Sequence, residues 1–189
     1  MIDPVRLDAV ARILLKNRYP FLPVLPNSKG TREPRWTRLC NSLPNNEAIE
    51  HWLHAFPNYG VGIVCGPISV VGIDIDSADP VEATTIEALV TTNLGKTIRR
   101  VGRSPRILLC YRVNGAAIRK RKIGKVDILG TGSYFVAFGT HPDTRQPYQW
   151  IDGSPLDTPV TDLPSANAEQ IEALCAELAA KQGFLVPEK

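Results

Sequence analysis

Two aspartates, Asp74 and Asp76, stand two residues apart in a strongly apolar segment of the sequence. In a β-strand successive side chains point to opposite faces, so this spacing places both carboxylates on one face and Ile73 and Ile75 on the other. Neighbouring carboxylates repel each other and are costly to bury, and a divalent cation relieves both effects. Oxygen-only ligands on a rigid strand suit Mg²⁺ or Mn²⁺. The alternative is that the strand ends here in a polar turn, with Asp79 capping the next helix.

A third carboxylate, Asp127, lies in a second apolar segment. If the two segments are neighbouring strands, the three aspartates meet on one patch and can hold two divalent ions about 4 Å apart, which activates an attacking hydroxyl and stabilises a leaving phosphate. Arg106 begins a strand between the two in sequence, and the preceding turn contains Arg103 and Ser104. Arginines beside an acidic metal cluster suit a nucleoside triphosphate. A module that only binds DNA has little use for three acids, because they repel the phosphates.

The positive charges of the chain are concentrated in one segment. Residues 96–125 contain 11 of the 22 Lys and Arg residues and none of the 19 Asp and Glu. The net charge of the whole chain is +3, so the rest of the chain has a net charge of −8. Such asymmetry favours a surface for a polyanion such as nucleic acid, nucleotide phosphates or acidic lipid. The alternative is a solvated basic loop, above all at 119–122.

The composition excludes several classes of protein. With 189 residues and 43% hydrophobic residues, the chain can build the core of one domain or two tightly joined subdomains. The four cysteines form no CxxC pair, and His51 and His54 have no acidic or Cys partner at ligand spacing, which argues against zinc and against a disulfide framework. No signal-peptide pattern and no apolar run of about 18 residues is present. A cytoplasmic protein without a membrane span is therefore expected.

Hydrophobic periodicity and turn residues predict an α+β fold, with helices covering one side of hairpin-built strands. Glycines bound the segment 60–66, and Gly66-Pro67 is predicted to turn the chain between two strands of a hairpin. The expected helices are 4–17 after an Asp3-Pro4 cap, 46–56, 80–93, and one from a capping box at Asn167 and Gln170 to Gly183. The expected strands are 21–25, 60–64, 69–76, 97–101, 106–113, 125–129, 134–138 and 148–150.

Taken in order, the motifs of this chain resemble one known family. Over roughly residues 5–152 the sequence is similar to the primase–polymerase (prim-pol) N-terminal domain of the archaeo-eukaryotic primase superfamily, which is common in phages, plasmids and mobile elements. The resemblance rests on these segments: Phe21-Leu22-Pro23-Val24, Lys29, Trp36, Trp52, Tyr59-Gly60-Val61-Gly62-Ile63, Gly66, Gly72-Ile73-Asp74-Ile75-Asp76, Gly102-Arg103-Ser104-Pro105-Arg106, Val126-Asp127-Ile128-Leu129-Gly130, Gly139-Thr140-His141-Pro142, Tyr148 and Trp150.

The resemblance implies both a fold and a reaction. The fold is an RRM-like antiparallel or mixed sheet that carries the acids, packed with a small α/β subdomain. Residues 1–160 would form this catalytic core, and residues 161–189 a linker and a packing helix. The reaction is template-directed nucleotidyl transfer, in which a 3′-OH attacks the α-phosphate of an NTP or dNTP. By motif match, Asp74, Asp76 and Asp127 would be the catalytic residues and the ligands of two Mg²⁺ or Mn²⁺ ions.

One motif departs from the family pattern. The family often has Ser-x-His, whose histidine contacts the incoming nucleotide, whereas this chain has Ser104-Pro105-Arg106. Arg106 is therefore expected to contact the triphosphate, and His141 is a candidate imidazole from another loop, the alternative being a loop histidine bonded to backbone. Further candidates are Arg103 and Lys29 for phosphate contacts, and Tyr134 and Tyr148 for stacking on a base or sugar or for packing.

The expected partners are a single-stranded DNA template and an NTP or dNTP, with a helicase domain C-terminal to this region in a longer replication protein. Two other functions compete with a primase–polymerase. One is a non-catalytic replication-initiator module that binds nucleic acid through residues 96–125 and keeps the acids for structure. The other is a metal-dependent nuclease, because two-metal acid clusters also cleave phosphodiesters.

Overall fold

The structure of the protein is a computed structural model that describes residues 5–181. Within these residues the chain forms four α-helices and ten β-strands. The helices are α1 (Leu7–Lys16), α2 (Asn46–Ala55), α3 (Pro80–Leu94) and α4 (Ala168–Lys181). The strands are β1 (Phe21–Val24), β2 (Gly60–Val64), β3 (Val70–Ile75), β4 (Arg99–Arg103), β5 (Arg106–Val113), β6 (Arg121–Ile123), β7 (Val126–Leu129), β8 (Tyr134–Phe138), β9 (Gln149–Ile151) and β10 (Ser165–Ala166).

The strands form two sheets. The small sheet has the order β1-β2-β8, and the large sheet has the order β6-β7-β3-β5-β4-β9. All of these neighbouring pairs are antiparallel, and β10 adds a short parallel pairing to β5. The α+β class with antiparallel sheets is thus confirmed.

The large sheet has a different apolar core on each face. On one face, Ile73 and Ile75 pack with the buried residues of α3 and α4. On the other face, Val70 and Leu108 belong to the core that includes the small sheet, α1 and α2. Because side chains alternate along β3, Asp74 lies on this second face, toward the small sheet.

The helix caps agree with the sequence. Asp79 Oδ1 accepts hydrogen bonds from the backbone N–H of Val81 (2.8 Å) and Glu82 (3.2 Å), so Asp79 caps α3. This cap is the one expected if a polar turn follows the strand that carries Asp74. Asn167 and Gln170 form the predicted capping box of α4, each side chain accepting from the other's backbone N–H. The predicted Asp3-Pro4 cap and the helix end at Gly183 lie outside the described residues. Between residues 5 and 181, no helix has the length and apolarity needed to cross a bilayer.

The predicted hairpin of residues 60–64 and 69–76 is wrong. The strands β2 and β3 belong to different sheets, and the chain passes between them at Gly66. The backbone of Gly66 packs against Cys40 so closely that a Cβ atom would lie 2.1 Å from the Cys40 carbonyl oxygen. A Gly-Pro turn between two apolar strands is typical of a hairpin, but here both strands are buried and each forms a ladder with other partners.

Candidate active site

One row of residues crosses the large sheet from edge to edge. Asp74 on β3 lies directly opposite Asp127 on β7, which lies opposite Lys122 on β6. In the other direction Asp74 is opposite Leu108, which is opposite Arg100 on β4. Directly opposed residues of an antiparallel pair share a face, with Cβ atoms about 4.5–5.5 Å apart. The strands carrying the acids are therefore neighbours, and Asp127 faces the same side of the sheet as Asp74.

A cleft of about 220 Å³ opens between the large and the small sheet on this face. Its lining combines two acids with several cations and aromatic side chains, which suits a charged ligand that also has a flat, apolar part. The lining residues are Lys29, Asp74, Asp76, Arg100, Gly102, Arg103, Arg106, Leu129, Tyr134, Phe135, Val136, His141 and Tyr148. Asp127 is not among them, but its position opposite Asp74 places it beside the cleft.

The carboxylate of Asp74 has no hydrogen-bond donor among the described residues, and its ion pair with Arg100 Nη2 is long, at 4.0 Å. Burial raises the pKa of Asp74, and the nearby carboxylates of Asp76 and Asp127 act in the same direction, whereas Arg100 and Lys29 oppose the rise. A half-buried carboxylate without a donor is costly, and a divalent cation is the group that would remove this cost. Carboxylate oxygens are the ligands that Mg²⁺ and Mn²⁺ prefer in proteins.

The other two acids are already paired with cations of the chain. Lys122 Nζ lies 2.8 Å from Asp127 Oδ2. Arg106 Nε lies 2.6 Å from Asp76 Oδ1, although its N–H is not aimed along that line. In this arrangement no group of three His, Cys, Asp or Glu side chains from residues 5–181 is close enough to hold a metal ion together. The three aspartates thus share one region of one face, with two of them held by neighbouring side chains.

Most of the chain matches a known family. Residues 11–166 match the family model Prim-Pol, described as the N-terminal domain of bifunctional DNA primase/polymerase. The chain belongs to the Prim-Pol family. The resemblance read from the sequence is therefore confirmed, and the match extends past residue 152 to include β10. No curated protein matches the chain.

The Prim-Pol cleft brings together most of the basic residues that the sequence suggested. Arg103 pairs with Asp143 at 3.6 Å and is half exposed, and the exposed Lys29 reaches the cleft from the loop after β1. Arg106, at the start of β5, lies at the same end of the cleft as Asp76. Ser104 is exposed in the turn between β4 and β5 and does not line the cleft.

His141 lies in the cleft and is also bonded to backbone. Its Nδ1 accepts from the backbone N–H of Asp143 (3.2 Å) and Thr144 (3.4 Å). Burial lowers the pKa of His141, and the positive charges of Lys29, Arg100 and Arg103 lower it further, against the opposing charge of Asp143. Because Nδ1 accepts from these two backbone N–H groups, the ring carries its proton on Nε2 in this arrangement.

The sequence did not identify Arg100, which lies deepest among the cations of the cleft. Its side chain is only 11% exposed. It donates to the Val136 carbonyl oxygen, and its guanidinium lies over the Tyr148 ring, 4.6 Å from the centroid. Gly102 permits this packing, since a Cβ there would lie 2.5 Å from the Tyr148 ring. The pair Arg99-Arg100 could have indicated this residue. Adjacent side chains in a strand point to opposite faces, so one of the two arginines must lie on the face of the acids.

The two candidate tyrosines line the cleft but are held by the protein. Tyr134 packs edge-on against Trp36, and its hydroxyl donates to the Lys29 carbonyl oxygen at 2.7 Å. Tyr148 is 7% exposed and lies between Arg100 and His141. These contacts fix the walls of the cleft, as the packing alternative expected.

Proposed function

We propose that this Prim-Pol domain catalyses template-directed nucleotidyl transfer, joining an NTP or dNTP to a 3′-OH, with Asp74, Asp76 and Asp127 as its catalytic acids. The observation that supports this most is the register of β3 and β7, which sets Asp74 opposite Asp127 on the face that Asp76 shares. Divalent ions held by these three residues would activate the attacking hydroxyl and stabilise the leaving pyrophosphate. Of the three, only Asp127 accepts a side-chain hydrogen bond within the described chain, and the ion pair of Asp74 with Arg100 is the longest of the three, at 4.0 Å.

The basic residues of the cleft supply what a triphosphate needs. Arg103, Arg106 and Lys29 lie at its accessible rim, where they can hold phosphate oxygens and fix the orientation of the nucleotide. Arg100 supplies a positive charge at the bottom of the cleft. Water screens this charge little, because the side chain is largely buried. His141, with its proton on Nε2, can donate one hydrogen bond into the cleft. These residues take the place of the missing Ser-x-His histidine.

A non-catalytic nucleic-acid-binding module is the second candidate, and one observation favours it. Lys122 and Arg106 already neutralise Asp127 and Asp76, which is the arrangement needed by acids kept only for structure. Ion pairs at this exposure are weak, on the order of 0–1 kcal/mol, so metal ions and phosphates can replace them. For this reason the pairs do not by themselves make the site inactive.

The deciding experiment measures primer extension and dinucleotide synthesis on single-stranded DNA with NTPs or dNTPs and Mg²⁺ or Mn²⁺. We expect Asp74→Asn and Asp76→Asn each to lower the rate by at least about 10²-fold, because loss of a metal ligand removes several kcal/mol of transition-state stabilisation. Asp8→Asn is the matched control, since Asp8 is an exposed acid in the first turn of α1. Its rate should equal that of the wild type.

Each competing function gives its own result in this assay. If the wild type binds DNA but makes no product with any template or metal, and the Asp74→Asn variant binds equally well, the domain is a binding module. If the template is degraded without added nucleotides, the acids serve a nuclease. Unchanged synthesis in both Asp variants would remove the acids from the mechanism altogether.

A further inference from the structure

The large sheet ends at a short basic hairpin whose role the proposed reaction does not explain. We define the basic hairpin as residues 119–125, which include β6 and its turn into β7. It carries five cations in seven positions: Arg119, Lys120, Arg121, Lys122 and Lys125. The sequence alone left open whether this segment is a solvated loop. The structure makes part of it an edge strand of the sheet that carries the acids.

The two faces of the edge strand β6 have different neighbours. On the α4 side, Arg121 pairs with Glu172, and Ile123 packs against the core beneath the helices. Lys122 points to the opposite face, which is the face of the three acids, and its side chain is 60% exposed. The edge strand is therefore anchored by α4 on one side and presents positive charge on the other.

Three of the five cations of the hairpin have no acidic partner among the described residues. Arg119, Lys120 and Lys125 are exposed and make no ion pair within the described part of the chain. Gly124, with φ of 54°, allows a two-residue turn that fixes the position of Lys125. The Lys125 carbonyl oxygen accepts the backbone N–H of Asp76 at 2.7 Å, so the turn lies directly beside the acids. The five clustered cations repel one another, which is unfavourable for folding, and a basic patch of this kind suits a polyanionic partner.

We propose that the basic hairpin is the surface along which the phosphates of the single-stranded template enter the acidic face of the sheet. This inference rests on the proposed function, because a template strand must be unpaired to direct nucleotide choice. Residues 119–125 contain no aromatic side chain on which a base could stack. The hairpin therefore contacts phosphates and does not read bases, so its binding is independent of sequence and sensitive to salt.

The test compares two charge-matched variants in binding to a fluorescent single-stranded oligonucleotide, in EDTA and without nucleotide. The first is Lys120→Gln/Lys125→Gln. The control is Lys16→Gln/Lys96→Gln, which removes two exposed lysines outside the hairpin, one of them from the same basic segment. All four positions are exposed, and urea unfolding checks that both variants remain folded.

Counterion release sets the expected size of the effect. Losing two phosphate contacts lowers the slope of log Kd against log salt by about 1.4 for single strands. Wild-type binding should therefore weaken roughly 7-fold more than that of the hairpin variant between 50 and 200 mM salt. The control variant should keep the wild-type slope.

Three results would overturn the proposal. Equal losses in both variants would show that only the net charge matters, and no loss in either would show that the strand binds elsewhere. Binding to phosphatidylserine vesicles through Lys120 and Lys125, without binding to the oligonucleotide, would make the hairpin a membrane surface. Because the assay contains no metal ion or nucleotide, it succeeds or fails independently of synthesis. A hairpin that binds DNA in an inactive protein would refute the proposed reaction only.

Discussion

Replacing Lys122 with methionine is expected to tighten the binding of a divalent ion to this domain. The Nζ of Lys122 lies 2.8 Å from Asp127 Oδ2, and the two side chains are 60% and 31% exposed. An ion that uses Asp127 must first separate this pair, so the pair competes with the metal. Methionine keeps the aliphatic stem over the strand and removes the charge.

The exposure of the pair sets the magnitude. Exposed ion pairs contribute about 0.2–1 kcal/mol, which corresponds to roughly 1.5- to 5-fold in an affinity. Removing a positive charge from beside the acids acts in the same direction. Since both effects are screened by salt, the difference between variant and wild type should shrink at about 1 M salt, where the Debye length falls to about 3 Å.

The assay is a titration with Mn²⁺ followed by electron paramagnetic resonance of the free ion, without DNA or nucleotide. Lys120→Met is the control, because Lys120 is an exposed lysine of the same hairpin without an ion pair among the described residues. Asp127→Asn should weaken Mn²⁺ binding in the same titration. If Lys122→Met binds Mn²⁺ no better than wild type while Asp127→Asn binds it worse, the lysine does not compete for the site.

Two predictions concern stability. Gly66→Ala should lower the free energy of unfolding by about 1–3 kcal/mol in urea titrations, because the new Cβ would lie 2.1 Å from the Cys40 carbonyl oxygen, whereas Gly30→Ala, which meets only ordinary contacts, should have little effect. The pKa of His141 is lower in the folded protein than in the unfolded chain. The neutral ring therefore contributes fully to the free energy of unfolding above about pH 6.5, and this contribution is lost as the pH falls. His141→Asn keeps an acceptor for the loop but cannot titrate, so its unfolding free energy should fall less than that of wild type between pH 7.5 and 5.5. Equal falls would assign the pH dependence to other groups.

The shared face of Asp74 and Asp76 could be predicted from the sequence because it depends on local alternation. Two acids at spacing two in an extended segment share a face whichever strand lies beside them. Which strand lies beside β3 cannot be predicted in this way, since Asp127 is 51 residues beyond Asp76 and one sequence carries no signal for so distant a pairing. The register that sets Asp74 opposite Asp127 is a property of the folded sheet.

The sequence was misleading where local turn chemistry and long-range packing disagree. The Gly-Pro pair after β2 resembles a hairpin turn, but β2 pairs with β1, which precedes it in sequence, and with β8, which follows it by about 70 residues. Charge alone leaves a solvated loop open at 119–122, yet residues 121–123 form an edge strand because Arg121 pairs with Glu172 on α4 and Ile123 packs in the core below the helices. Arg100 was missed because its depth depends on Val136 and Tyr148, which are distant in sequence.

The acids of this Prim-Pol domain lie between two groups of cations that differ in what they could hold. On one side, Arg100, Arg103, Arg106 and Lys29 line a cleft that fits a compact anion. On the other side, the basic hairpin is an open edge that suits an extended one. In the proposed reaction a triphosphate and a strand approach from these two sides and meet above Asp74. Two of these cations now neutralise acids: Lys122 pairs with Asp127, and Arg106 pairs with Asp76. Lys122 lies on the side from which the strand would come, and Arg106 on the side from which the triphosphate would come. Binding of substrates would therefore release the acids instead of competing with them, and metal affinity should rise when oligonucleotide and nucleotide are present.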